Sequence, residues 1–203
     1  MKKWLIGLTV AAASVAAQAE APLVRLFGSV AYGYGGDKVA TAQYNNGASI
    51  ELLAGTGWTW TLGADVRLGG PLALQVNVGQ QRNRVVGANF DWDFVRNPVE
   101  ILLFYSVSEQ VRLGVGAHKT YNAKFTETGT SFSAYAEYEG STGAVLEGQY
   151  LFTAPANDRS FLAGVSLRFI RENFTRTNYY TGTQPTSAEM RGDQVALGLF
   201  FYY

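Results

Sequence analysis

The last ten residues, 194–203 (QVALGLFFYY), narrow the possible folds more than any other stretch of the chain. In an extended strand successive side chains point to opposite faces. Val195, Leu197, Leu199, Phe201 and Tyr203 then share one face, and Gln194, Ala196, Gly198, Phe200 and Tyr202 share the other. The first face is wholly apolar and ends in an aromatic residue. Chain ends ordinarily fray in water, so a final strand of this kind is expected to close a sheet against an apolar surrounding.

The opposite end has the pattern of a secretory signal. Lys2 and Lys3 are followed by an apolar stretch over residues 5–17 and by Ala17-Gln18-Ala19, an A-x-A cleavage pattern. The uncharged run 4–19 has 16 residues, short of the roughly 20 that a spanning helix needs. Cleavage after Ala19 leaves one domain over residues 20–203, with 14 basic and 16 acidic residues. That near-balance argues against a nucleic-acid binder, which carries a basic stripe. With no cysteine and a single histidine, His118, the chain has no disulfide framework and a poor ligand set for zinc. No metal site and no cofactor are expected.

Between these ends, apolar and polar residues alternate in segment after segment. Residues 23–34 set Val24, Leu26, Val30, Tyr32 and Tyr34 against Arg25 and Ser29. Residues 58–68 set Trp58, Trp60, Leu62, Ala64, Val66 and Leu68 against Thr59, Thr61, Gly63, Asp65 and Arg67. Further strands are expected over 72–79, 90–105, 111–118, 143–152, 161–169 and 190–203. Period-two alternation repeated this often, separated by turn residues, predicts an all-β fold: an eight-stranded antiparallel up-and-down transmembrane β-barrel. Turns at 69–71, 106–110 and 153–158 are short. Connections over 37–49, 122–142 and 171–188 are long, and 81–88 is a shorter loop on the same side. Short periplasmic turns and longer outer loops alternate in this way.

Two details follow from the alternation. Phe90, Trp92 and Phe94 read as outward-facing, whereas Val99, Ile101, Leu103 and Tyr105 have the other parity, so a β-bulge near residues 96–98 is expected. Tyr32, Tyr34, Trp58, Trp60, Phe90, Trp92, Tyr105, Tyr150, Phe161 and Phe169 are expected to form aromatic girdles where lipid meets water.

An eight-stranded barrel has an interior that side chains can fill. The inward charges Arg25, Asp65, Arg67, Glu100, Arg112, Glu147 and Arg168 are expected to pair across it, because unpaired buried charges are costly. An ion-conducting pore is the competing use of the same residues. His118, Thr120 and the glutamates at 137, 139 and 147 could in principle support acyl transfer. Tyr121, Tyr138, Tyr179 and Tyr180 suit either a binding rim or an upper girdle. The glycine-rich 33–38 stretch lacks the spacing of a phosphate-binding loop.

With its A-Q-A site, eight alternating segments, aromatic belts and terminal Phe201-Tyr202-Tyr203, the mature chain resembles the small outer-membrane β-barrel proteins of Gram-negative bacteria. That class includes OmpA-, OmpX- and OmpW-like barrels. The 96–100 stretch (RNPVE) followed by 111–116 (VRLGVG) also looks like members of this class. The resemblance implies an outer-membrane location in contact with lipid and lipopolysaccharide. It also implies that the barrel assembly machinery reads Phe201, Tyr202 and Tyr203. A non-enzymatic envelope-structural or surface-interaction role through the outer loops is expected, with an OmpW-like passage for small apolar molecules as an alternative. A lipid A deacylase-like enzyme is a further alternative, but its H-x-S-N pattern is replaced here by His118-Lys119-Thr120-Tyr121-Asn122.

Overall fold

The computed structural model describes residues 23–43, 47–129, 133–152, 161–180 and 188–203. The expected signal segment and the 153–158 turn lie outside these residues, as do Asn45 and Asn46. In chain order the strands are β1 (Val24–Gly35), β2 (Lys38–Gln43), β3 (Ser49–Leu53), β4 (Gly57–Gly69), β5 (Leu72–Val86), β6 (Phe90–Ser106) and β7 (Val111–Gly129). They continue as β8 (Ser133–Gly140), β9 (Thr142–Leu151), β10 (Leu162–Arg171), β11 (Asn173–Tyr180), β12 (Glu189–Arg191) and β13 (Gln194–Tyr202).

Eight of them close a ring in the order β1, β4, β5, β6, β7, β9, β10, β13, with β13 returning to β1. Every neighbour is antiparallel. Closure leaves no unpaired sheet edge around the ring, which is what lets a backbone lie in hydrocarbon. The terminal strand is the seam: Phe27 pairs with Tyr202 and Tyr34 with Val195 on one side, while Leu162 pairs with Tyr202 on the other. Leu26 and Tyr203 also exchange backbone hydrogen bonds of 2.8 and 2.9 Å.

The outer face of the ring is an apolar belt. It includes Val30, Leu62, Val78, Ile101, Val115, Leu146, Leu167 and Leu199, the last 61% exposed. On the inner face, glycine admits close approach where walls crowd. A side chain at Gly116 would run into the Ile101 carbonyl of the neighbouring strand. At the short-turn end, Gly69 and Gly70 take φ values of 110° and 56°, which a residue with a side chain rarely adopts.

Above the belt, on β5, β6, β7, β8 and β11, the wall continues as strand where loops were expected. β5 and β6 stay paired through Val86–Asp91, so the expected 81–88 loop shrinks to the turn after Val86. Within the expected loop 122–142, residues 122–129 continue β7, which pairs there with β8, in keeping with a strand projecting above the membrane that the alternation of Ala134, Ala136 and Tyr138 allows. Most of the 171–188 segment that is described forms β11, paired with β8. The β2–β3 hairpin folds inward there and buries Val39 and Leu52.

The extension also corrects the reading of β6. Trp92, Phe94, Arg96, Pro98, Glu100, Leu102 and Phe104 are all buried on one face, with no change of parity. Phe90 and Trp92 therefore do not belong to an outward girdle. They pack inside, with ring centroids 4.4 Å apart, in a cluster with Phe94, Phe125, Tyr138 and Phe174. Tyr138, expected on an outer loop, is likewise inside. A bulge does occur at this level, but β7 carries it. Val95 pairs with Lys124 and Asn97 with Tyr121, so Asn122 and Ala123 together oppose Arg96. Asn122 adopts φ 52°, a left-handed conformation that asparagine tolerates better than most residues.

Removing residues 201–203 deletes the last pairs on both sides of the seam. The truncated chain is expected to give far less heat-modifiable barrel on unheated gels than a chain lacking the β2–β3 hairpin. Equal yields from the two deletions would refute this.

Candidate functional site

Polar inner-face residues in the ring meet in the lumen, where a connected set of charged and polar side chains crosses it. Arg168 on β10 stands opposite Glu147 on β9, and its terminal nitrogen lies 2.6 Å from both Glu100 carboxylate oxygens. Its Nε is 3.1 Å from Glu147 Oε2, within ion-pair distance though not aligned as a hydrogen bond. Glu100 also accepts a hydrogen bond from Asn77 at 3.3 Å. Its Oε1 stands 2.8 Å from His118 Nδ1.

On the side towards the extension, His118 Nε2 is 3.3 Å from Glu172 Oε2. Thr120 donates to the same carboxylate from its hydroxyl at 2.9 Å and from its backbone amide at 2.8 Å. Arg96 pairs with Glu172 at 3.2 Å and donates to Gln81, which in turn donates to Gln194. Towards the short turns, Gln149 donates to Glu147, and the Tyr202 hydroxyl sits 2.9 Å from Gln75 Oε1 and 2.8 Å from Gln149 Oε1. Arg112 ends the sequence, 2.6 Å from Asp65 and stacked over the Phe104 and Tyr202 rings at 4.6 and 5.2 Å.

Of the seven inward charges expected from parity, the structure connects Glu100, Glu147 and Arg168 directly and pairs Arg112 with Asp65. Arg25 and Arg67 face the short-turn mouth, and no ion pair of theirs is present among the described residues. Arg96, His118 and Glu172 complete the set. Glu172 lies in the break between β10 and β11, where its amide bonds the Asp193 carboxylate at 3.0 Å instead of a ladder partner. It continues the inward parity of Gly164, Ser166, Arg168 and Ile170, and that parity was the available signal for it. Tyr202 faces the lumen, while Phe201 and Tyr203 face outward. Tyr32, Tyr34, Trp58, Trp60, Tyr105, Tyr150, Phe161 and Phe169 are all exposed on the outer surface; Tyr32 and Trp58 meet edge to face at 5.2 Å.

His118, Thr120 and a glutamate are thus together, with Thr120 Oγ1 3.4 Å from His118 Nε2. The glutamate is Glu172, whereas Glu137 and Glu139 stand on the outer side of β8 and Glu147 serves Arg168. All three groups are at most 2% exposed and enclosed by the wall. An acyl chain in the surrounding lipid has no contact with them.

A wall of this kind around a buried polar interior defines an outer-membrane-type barrel, and solved structures agree. The attachment invasion locus protein Ail of Yersinia pestis aligns at 12% identity and TM-score 0.51, over 89% of this chain and 97% of its own. Neisserial surface protein A aligns at 12% identity and TM-score 0.50, over 90% and 98%. The outer membrane protein AlkL, solved in lipid bilayers, aligns at 15% identity and TM-score 0.51, over 92% and 93%. These likenesses establish the eight-stranded outer-membrane barrel fold. No family model and no curated protein matches the chain.

Arg168→Met removes the cation between two buried carboxylates. Breaking a buried pair from one side costs about 3–5 kcal/mol, so the urea midpoint for folding in detergent should fall markedly. Arg84→Met, at an exposed ion pair with Asp91 on the extension, should move it only slightly, because solvent screens such pairs. Similar shifts for the two variants would contradict the lumen assignment.

Proposed function

We propose that the protein is an integral outer-membrane barrel with a filled lumen, exported through a signal segment cleaved after Ala19. Its role is non-enzymatic, in envelope structure or surface interaction through the wall extension and loops. The observation that carries this reading is the run of buried partners from Arg96 through Glu172, His118, Glu100 and Arg168 to Glu147, a series of side chains across the lumen that supports a filled interior. The short-turn end faces the periplasm and the extension faces outward. The exposed tyrosines, tryptophans and phenylalanines of the belt would seat the barrel between phospholipid and lipopolysaccharide. Phe201, Tyr202 and Tyr203 would be read by the barrel assembly machinery during insertion.

A passage for small apolar molecules would need an apolar route through the wall. Between Lys119–Thr142 and Ala123–Tyr138 the pairing of β7 is interrupted, and a cleft of ≈ 420 Å³ lies there. Lys119, Lys124, Glu137 and Glu139 line it beside Tyr121, Ala123 and Tyr138, and the four charges suit water and headgroups rather than an alkane.

Planar-bilayer recording tests the reading. The wild-type barrel is expected to be electrically silent, and Arg168→Ala, which opens space beside Glu100, should show intermittent openings. Steady conductance in the wild type would overturn the filled-lumen function.

A further inference from the structure

Among the described residues that line it, the short-turn mouth carries three arginines and two carboxylates, Asp65 and Glu109. Arg25, Arg67 and Arg112 line one cavity of ≈ 60 Å³ there, together with Asp65, Ser106 and Tyr202. Arg112 is engaged with Asp65 at 2.6 Å and held between two aromatic rings. Although Arg25 stands directly opposite Asp65 on the neighbouring strand, no ion pair joins them. Arg67 lies two residues further along the same inner face. Glu109, the other carboxylate at this mouth, is exposed at the rim, and no ion pair of its own is present among the described residues.

Guanidinium groups present several fixed N–H donors and match the oxygens of phosphate or carboxylate. Two of them, one half-buried and one exposed, with no ion pair of their own among the described residues, offer donors to an acceptor supplied from solution. The cavity has the volume of about four water sites, which suits one compact oxyanion. Attraction to the remaining positive charge is stronger beside the low-dielectric wall than in open water. We infer that the short-turn mouth is a binding site for a phosphate-type oxyanion, held by Arg25 and Arg67 with Arg112 as the fixed charge behind them. Its chemistry is independent of whether the barrel conducts, so silent or conducting barrels leave it equally open to test.

Calorimetric titration of inorganic phosphate into the full-length mature barrel, in a phosphate-free glucoside detergent at low salt, reads the site directly. Saturable one-to-one binding is expected, with sulfate competing and chloride at equal ionic strength not competing. Arg25→Gln and Arg67→Gln should each weaken it by about tenfold, the loss expected for one charge-assisted contact. Arg84→Gln, on the opposite end of the barrel, should leave it unchanged. Glycerol 1-phosphate separates the two sources of this chemistry: binding as tight as inorganic phosphate means that a lipid headgroup can occupy the mouth, and much weaker binding means that a free ion does. Unheated-gel migration confirms that each variant is folded, and Arg67, being exposed, is replaceable without disturbing the wall. Absence of saturable phosphate binding by the folded wild type, or undiminished affinity in both mouth variants, would overturn the site.

Discussion

Glu100 accepts from Arg168, Asn77 and His118 at once, and the organisation of the lumen depends on that single carboxylate. A carboxylate in so dry a place is tolerable only when its lone pairs are all answered. Answering them fixes residues on four strands, β5, β6, β7 and β10, relative to one another. Glu172 performs the same service one level further out, joining Arg96, His118 and Thr120. The barrel's cross-section is therefore set from inside, by partners that cannot separate without stranding a charge.

The wall itself is one continuous sheet that meets two solvents. Along the belt it is apolar outside and polar inside. Above the bulge at Asn122 the assignment reverses: Arg82 and Asp93, and Arg84 and Asp91, pair on the outer surface, while Trp92, Phe94, Phe125 and Phe174 fill the interior. The parity of β6 does not change across this boundary. Only the surroundings do, from hydrocarbon to water, so the extension folds by the ordinary soluble rule of burying its apolar face. The β2–β3 hairpin covers that small core with Val39 and Leu52.

This reversal explains what the sequence could and could not convey. In the belt strands, parity alone identifies the outward set and places Glu100, Glu147 and Arg168 inside, because one rule holds over their whole length. In β6 the same rule, applied beyond the belt, put Phe90 and Trp92 on lipid and required a one-residue slip that β6 does not have. Glu172 was hidden by its neighbours: the polar stretch after Ile170 has the composition of a loop, yet it is a strand whose outer face is wet. Arg25 and Arg67 share the inward parity of Asp65, but nothing in spacing distinguishes a paired arginine from one facing the short-turn mouth without an ion pair among the described residues.

The most direct test of a single wall spanning two solvents uses β7, since the chain contains no cysteine. A fluorophore on Val115→Cys should be quenched by lipid-borne spin labels and shielded from aqueous iodide. One on Thr128→Cys, thirteen residues along the same strand and also outward, should show the reverse. Quenching of the Thr128→Cys probe by lipid, or of the Val115→Cys probe by iodide, would contradict the account.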